Sequence, residues 1–400
     1  MTHGSQRFAI IGLILAAQTL ANVGPLGIPA IASLIRADLG LTLAQAGSFL
    51  SAYYVGPVLM SIPAGAIADR YGIVTTLVGG QLVIAAGLLA VSASPSYGVL
   101  AVLMMLAGCG YGMLNPTSTK AVLAWSRPGE RATMVGLKQV GLPFGGALGA
   151  ALLPVLALAV GWRTAVAASG LIIAAMGVAS WLLYRDPPGA RDAAPTVPAP
   201  GRVRAVFRTR DLWLLAISTA IFAALQTVWM AFLVLYLQEI VGIPLVVAGR
   251  YLALAQAAGM AGRIGFGLLS DRVFGGRRRI TLAVAGTGSA LCSIALAFTG
   301  PGASVAWLVP LAFVGGFVVI GWNGVQHTWM AELAGPAAAG TAVGLGLAVS
   351  SGGVMLGPPI FGWLVEAVGG YRPAWIALAL SMAAGLVILG QIRERPRMAA

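Results

Sequence analysis

Twelve runs of about 20 mostly apolar residues follow one another along this chain of 400, near 8–31, 45–67, 75–93, 97–121, 132–157, 162–184, 212–238, 246–269, 280–299, 304–328, 339–363 and 373–392. A run of that length is what a helix needs to cross the hydrocarbon core of a bilayer. Within that core every backbone N–H and C=O must be satisfied inside the segment, which favours helices. The fold class that follows is all-α and integral to the membrane, with twelve transmembrane helices. Hydrophobic residues make up 59% of the chain and charged residues 9%, against about 25% charged in a soluble domain. The first run follows Arg7 and continues to about Ile35, too long for the apolar core of a signal peptide, so it reads as the first span. The net charge of +13 does not indicate nucleic acid, because the arginines are spread through short loops rather than gathered on one face. Cys109 and Cys292 lie in apolar runs and read as small core residues, not as a disulfide.

The cations orient the runs. With the N-terminus inside, seventeen arginines fall in inner loops and tails, and four (Arg36, Arg163, Arg250 and Arg372) in outer loops. Positive charge accumulates on the cytoplasmic side, so both termini are expected in the cytoplasm of a multi-pass protein of the cell's inner (plasma) membrane. The three remaining cations, Lys120, Lys138 and Arg263, lie within or at the ends of spans. Each is unfavourable by roughly 2.5–3.5 kcal/mol on insertion scales, so each calls for a reason.

Residues 185–211 hold five prolines and six arginines, the composition of a solvated, lipid-proximal cytoplasmic linker. It separates residues 1–184 from 212–400, each with six runs. The two parts repeat one another. Gly65-x-x-x-Asp69-Arg70 recurs as Gly267-x-x-x-Asp271-Arg272, and Val135-Gly136-Leu137 as Val343-Gly344-Leu345. Gly145-Gly146 recurs as Gly352-Gly353, and Gly161-Trp162-Arg163-x-Ala165 as Gly370-Tyr371-Arg372-x-Ala374. Four correspondences in one order, at offsets of 202–209, indicate a duplication into two pseudo-symmetric six-helix halves. Transporters are commonly built from such repeats, with the substrate near the midplane.

This organisation resembles the major facilitator superfamily of secondary transporters, over the whole chain. Its most specific mark is Gly65-Ala-Ile-Ala-Asp69-Arg70-Tyr71-Gly72 after the second span, where the family's usual closing basic residues are replaced by Ile73 and Val74. The copy after the eighth span keeps them as Arg277, Arg278 and Arg279. The resemblance implies a cytoplasmic gate latch at Asp69, Arg70, Asp271 and Arg272. A carboxylate at a helix end can cap a neighbouring helix or pair with an arginine such as Arg131, and release it as the halves rock. Drug exporters of the family usually carry an arginine in the fourth span, where Met104 and Met105 stand here. Their fifth span usually reads Gly-Pro-x-x-Gly-Gly, which Gly141-Leu142-Pro143-Phe144-Gly145-Gly146 matches only nearly. Both departures count against drug export.

Lys138 lies about seven residues into the fifth span, with Gly141, Gly145 and Gly149 on roughly its face. Small residues mark a packing face, so Lys138 is expected to point into the bundle. Arg263 is flanked at four residues either side by Gly259 and Gly267, and the same argument applies. The resemblance implies that the fifth and eighth spans face each other across the halves, bringing both cations to a central cavity. There an arginine fork and a lysine point charge suit a carboxylate. Snorkelling or binding of helix-end carbonyls are the structural alternatives, and for Lys120 snorkelling is preferred. The remaining substrate-binding candidates are Asn22, Tyr53, Asn115, Gln226, Asn323 and Gln326. Gln18, Tyr54, Tyr111, Trp229 and Trp322 are further cavity candidates. His327 reads as a packed or solvated histidine before a proton relay.

All eleven acids fall in loops, tails or helix ends, so the bundle lacks a carboxylate proton carrier. No phosphate loop, metal-ligand cluster or catalytic triad is visible, so no enzyme, metal or cofactor is expected. The function expected is transport of a small organic anion, a carboxylate first, by alternating access as proton symport or anion exchange. The alternative is efflux of drugs or other amphipathic compounds by proton antiport. Expected partners are the small anion, protons in the case of symport, and the lipid bilayer, with no nucleic acid and a monomeric state.

Overall fold

A computed structural model describes residues 3–60, 63–127, 130–185, 200–335 and 338–394. Among them every regular element is helical. Eleven helices are long and apolar enough to span a membrane, and Phe49–Met60 is a shorter apolar helix. The chain forms two compact units, Met1–Ala194 with Pro244–Ala253, and Pro195–Ile243 with Leu254–Ala400.

In the first unit α1 (His3–Gly27) runs into a 3-10 turn, Ile28–Ile31, and then α2 (Ala32–Leu39). Pro29 at the start of that turn has no N–H to donate, which ends the regular helix there. Thr42 caps the short α3 (Leu43–Gly47) through a reciprocal bond with Gln45. There follow α4 (Phe49–Met60), α5 (Pro63–Ser92), α6 (Tyr97–Trp125), α7 (Arg131–Val160) and α8 (Trp162–Leu183). Within α5 two helices meet at Gly72, whose φ of 86° lies where a Cβ is strained. The second expected span therefore ends at Tyr71 and the third begins at Ile73.

The second unit holds α9 (Pro200–Arg208), α10 (Arg210–Tyr236), α11 (Leu245–Leu268, whose first residues cluster with the first unit), α12 (Arg278–Ala297), α13 (Val305–Gly321), α14 (Asn323–Ala334), α15 (Ala339–Ala367) and α16 (Tyr371–Gly390). Of the expected linker, residues 186–199 lie outside the described residues and the rest includes the helix α9. The tenth span divides at Trp322 into α13 and α14.

Lipid offers no hydrophobic drive for helices to meet, so close backbone approach through small residues holds them together. A Cβ on Gly145 would lie 2.1 Å from Thr19 O, and one on Gly149 2.1 Å from Val23 O, so α7 lies directly on α1. In the second unit a Cβ on Gly353 would lie 1.9 Å from Ala220 O, which closes α15 onto α10.

The duplication extends to side-chain bonds. In the first unit Trp162 Nε1 donates to Asp38 Oδ2 (3.1 Å), and Arg163 pairs with the same carboxylate and reaches Ser94 O at 3.3 Å. In the second, Tyr371 OH donates to Glu239 Oε2 at 2.9 Å, and Arg372 lies 4.3 Å from the centre of the Phe298 ring. Asp38 and Glu239 stand 201 positions apart, within a residue of the sequence offsets.

Candidate functional site

In the first unit the site is built on α1, α4, α6 and α7. Lys138 is wholly buried. Its Nζ donates to Asn115 O (2.9 Å), Asn115 Oδ1 (2.6 Å) and Thr119 Oγ1 (3.0 Å). All three N–H groups are engaged, and every acceptor is uncharged. Gly141, Gly145 and Gly149 put the adjoining face of α7 against Gln18, Thr19, Asn22 and Val23 of α1, so the lysine is turned toward α6 and away from lipid. An ammonium can only donate, so the Asn115 atom facing it is the oxygen. The Nδ2 of Asn115 then points away, with no hydrogen-bond partner among the described residues.

Around this pair, Gln18 Nε2 donates to Tyr111 OH (3.0 Å), and Ser118 Oγ donates to Gln18 Oε1 (3.4 Å). Asn22 Nδ2 donates to Gln18 O at 2.7 Å, which leaves its buried Oδ1 without a partner among the described residues. Tyr53 is wholly enclosed, edge-on to Tyr54 (5.5 Å between centroids) and tilted against Tyr111 (5.8 Å), and its hydroxyl finds no partner among the described residues. Lys120 is exposed.

The second unit supplies a counterpart on α10, α11 and α14. Asn323, which matches Asn115 by duplication, donates Nδ2 to Gln226 Oε1 (3.1 Å) and Ile320 O (3.0 Å). That bond fixes the Gln226 amide with its Nε2 facing elsewhere. One turn along α14 stand Gln326, whose buried Nε2 has no partner among the described residues, and half-buried His327. Arg263 on α11 is the charged neighbour of His327. Buried Trp322 Nε1 adds another donor without a described partner. Trp229 belongs instead to the core, donating Nε1 to Ser293 Oγ (3.0 Å) with its ring against Gly315.

The glycines around Arg263 differ from expectation. Gly259 packs on Ile320, but Gly267 has no neighbour near its Cβ position. Gly262 carries the closest approach, 2.3 Å from Phe317 O, and Gly265 meets the Phe317 ring. The face of α11 that packs on α13 is therefore 259–262–265–266, turned from the face the four-residue spacing indicated.

At the predicted gate, Asp271 is held by Arg278 NH1 (2.6 Å), which also donates to Ser270 Oγ (2.7 Å). Arg278 grips Glu332 through NH2 (3.0 Å) and Nε (3.2 Å). The Arg278 side chain is 6% exposed while those of Asp271 and Glu332 are 58% and 36% exposed, so a buried fork is spent on a hydroxyl and on two carboxylates that still face water. Arg272 is exposed. In the first unit the side chain of Asp69 lies outside the described residues, Arg70 lies 5.4 Å from the Tyr71 ring centre, and Arg131 is exposed at the start of α7. Arg7 of α1 pairs with Glu130 just ahead of α7, a contact 123 positions apart that no local pattern announces.

Chemically, each unit's cluster is rich in donors. One holds an ammonium among neutral oxygens and an outward amide N–H₂. The other holds a guanidinium, an imidazole, two amide donors and an indole. No group of three or more His, Cys, Asp or Glu that could hold a metal occurs among the described residues. Thr119, Ser118 and Glu332 are participants that sequence reading missed. Thr119 lies one turn from Asn115 on the same face, whereas Glu332 has no sequence signal.

The sequence profile described as Major Facilitator Superfamily matches residues 9–351. The chain is 28% identical over 395 residues to the probable sulfoacetate transporter SauU of Cupriavidus necator, spanning 91% of this chain and 89% of that one. It is 31% identical over 132 residues to the hexuronate transporter of Bacillus subtilis, 33% of this chain and 31% of that protein. A crystal structure of a bacterial homologue of the human lysosomal transporter Spinster, inward-facing and unoccupied, matches the fold with a TM-score of 0.75 at 19% identity, covering 96% of this chain and 95% of that one. With a family match over residues 9–351 and, among the described residues, eleven helices long and apolar enough to span a membrane beside one shorter apolar helix, the chain belongs to the Major Facilitator Superfamily and is a multi-pass secondary transporter.

Proposed function

We propose that this transporter carries a small organic anion, a carboxylate first, by alternating access, as a proton symporter or an anion exchanger. The observation that carries the reading is Lys138, a wholly buried cation whose partners are all uncharged oxygens. A buried charge without a counter-ion is costly, and a substrate anion is the natural neutralising group. Arg263 serves the same end in the other unit, with Asn22, Tyr53, Asn115, Gln226, Asn323 and Gln326 supplying hydrogen bonds. Sulfoacetate and hexuronate, in the names of two relatives, are both anions.

The described acids stand at helix ends or in loops, several already bonded to Arg7, Arg163, Arg278 or Tyr371. A coupled proton would therefore travel on the substrate, on His327 or on Lys138. The gate would consist of Asp69, Arg70 and Arg131 in one half, and Asp271 and Arg272 with Arg278 and Glu332 in the other. The protein would work as a monomer in the inner (plasma) membrane with both termini cytoplasmic.

The test is uptake of labelled sulfoacetate and hexuronate by proteoliposomes, with and without a proton gradient. Lys138→Gln and Arg263→Gln should each abolish uptake while leaving the folded protein intact. Normal uptake by both variants refutes the site. Efflux of neutral or cationic dyes undiminished in both would favour amphipathic export instead.

A further inference from the structure

The segment expected to be a solvated linker ends in a helix with three distinct faces. In α9, Arg204 and Arg208 are one turn apart and both exposed. Val206, on the opposite side, is 2% exposed and packs inward, while Phe207, on the flank, is 51% exposed. The helix does not run on into α10. Thr209 between them is extended, at φ −83° and ψ 108°, so the chain bends sharply. Trp213 fixes that bend by donating Nε1 to Phe207 O (2.9 Å), and the two rings stand 6.4 Å apart.

Depth follows from connectivity. The spanning segment begins at Arg210, with only Thr209 between it and the end of α9, so α9 lies at the level of the lipid headgroups. Trp and Phe at that level favour the apolar side of the interface, and arginines the headgroup side. Exposed Arg210 adds to the charge, and its NH2 reaches Gln391 Oε1 (3.4 Å) at the end of α16, close to exposed Arg393. Asp211 is the only acid in the whole of α9 and α10.

We propose that α9 is a docking surface for an anionic phospholipid, with Arg204, Arg208 and Arg210 receiving the phosphate-bearing headgroup and Phe207 and Trp213 lying against its glycerol and upper acyl chain. The charge complementarity selects an anionic lipid over a zwitterionic one, since a polybasic cluster at a membrane surface gains with each cation. This site is independent of Lys138 and Arg263.

Native mass spectrometry of the full-length protein, titrated with phosphatidylglycerol or phosphatidylcholine, tests it. Phosphatidylglycerol should be retained preferentially. Arg204→Gln with Arg208→Gln should weaken its first binding step about 25-fold, at about fivefold per charge, and leave phosphatidylcholine binding unchanged. Arg204→Lys with Arg208→Lys should restore most of the preference, which separates charge from folding. Equal retention of the two lipids, wild-type affinity in the Gln pair, or equal loss in the Gln and Lys pairs would overturn the proposal.

Discussion

Replacing Lys138 by methionine separates a functional charge from a structural tether, because the two make opposite predictions for stability. A charged lysine inside a spanning helix is unfavourable by about 3 kcal/mol. Its three hydrogen bonds to Asn115 and Thr119 return about 0.6 kcal/mol each in a membrane interior, near 2 kcal/mol together. Methionine has similar volume, and Asn115 is only half-buried, so its freed oxygen can be hydrated. The expected net effect of Lys138→Met is stabilisation by about 1 kcal/mol. That corresponds to a melting temperature raised by about 2 °C, together with complete loss of anion uptake. Thermal unfolding of the purified protein, followed by tryptophan fluorescence, gives the first quantity and proteoliposome uptake the second. Saturating anion should raise the wild-type melting temperature, since a ligand at a hundred times its Kd contributes about 2.7 kcal/mol, and should leave that of the variant unmoved. A melting temperature several degrees below wild type, with residual transport in proportion to folded protein, would refute the reasoning and make Lys138 a strut between α6 and α7.

Three further outcomes follow. Arg278→Ala should destabilise the protein by about 2 kcal/mol, less than the loss of a fully buried pair because Asp271 and Glu332 are partly exposed; an unchanged melting temperature would contradict it. Gly353→Ala should cost about 1–3 kcal/mol through overpacking against Ala220, whereas neighbouring Gly352→Ala, which meets nothing within 4 Å, should be neutral or slightly stabilising in the same unfolding assay; equal effects would refute the packing assignment. Tyr371→Phe should lower stability by about 0.6 kcal/mol through loss of the Glu239 bond, and Tyr371→Phe with Glu239→Gln should cost little more than either change alone, as a double-mutant cycle in unfolding measurements would read.

The spans and the duplication were legible because both are properties of long stretches. Twenty apolar residues announce a membrane helix whatever they touch, and paired motifs in one order at offsets of 202–209 need no structure to be seen. The inward turn of Lys138 was legible too, since glycines at four-residue spacing fix a helix face. What held the lysine was not, because the match of Asn115 and Thr119 to it depends on the rotation of α6 against α7. The same limit explains Gly267, which looks like a packing glycine in sequence but has open space beside it. It also explains Glu332, fifty-four positions from Arg278, whose pairing is created only when the start of α12 meets the end of α14. The short helix α9 was hidden by the prolines that precede it.

The bonds at Asp38 and Glu239 bear on how the two halves have diverged. Aspartate with tryptophan and arginine in one half, and glutamate with tyrosine in the other, share no side chain. Yet each ties the stretch after the half's first long helix to the opening turn of its last. The two halves thus close the same joint with different residues, and a chimera that swapped the acid alone between halves would set a carboxylate of the wrong length against its partner.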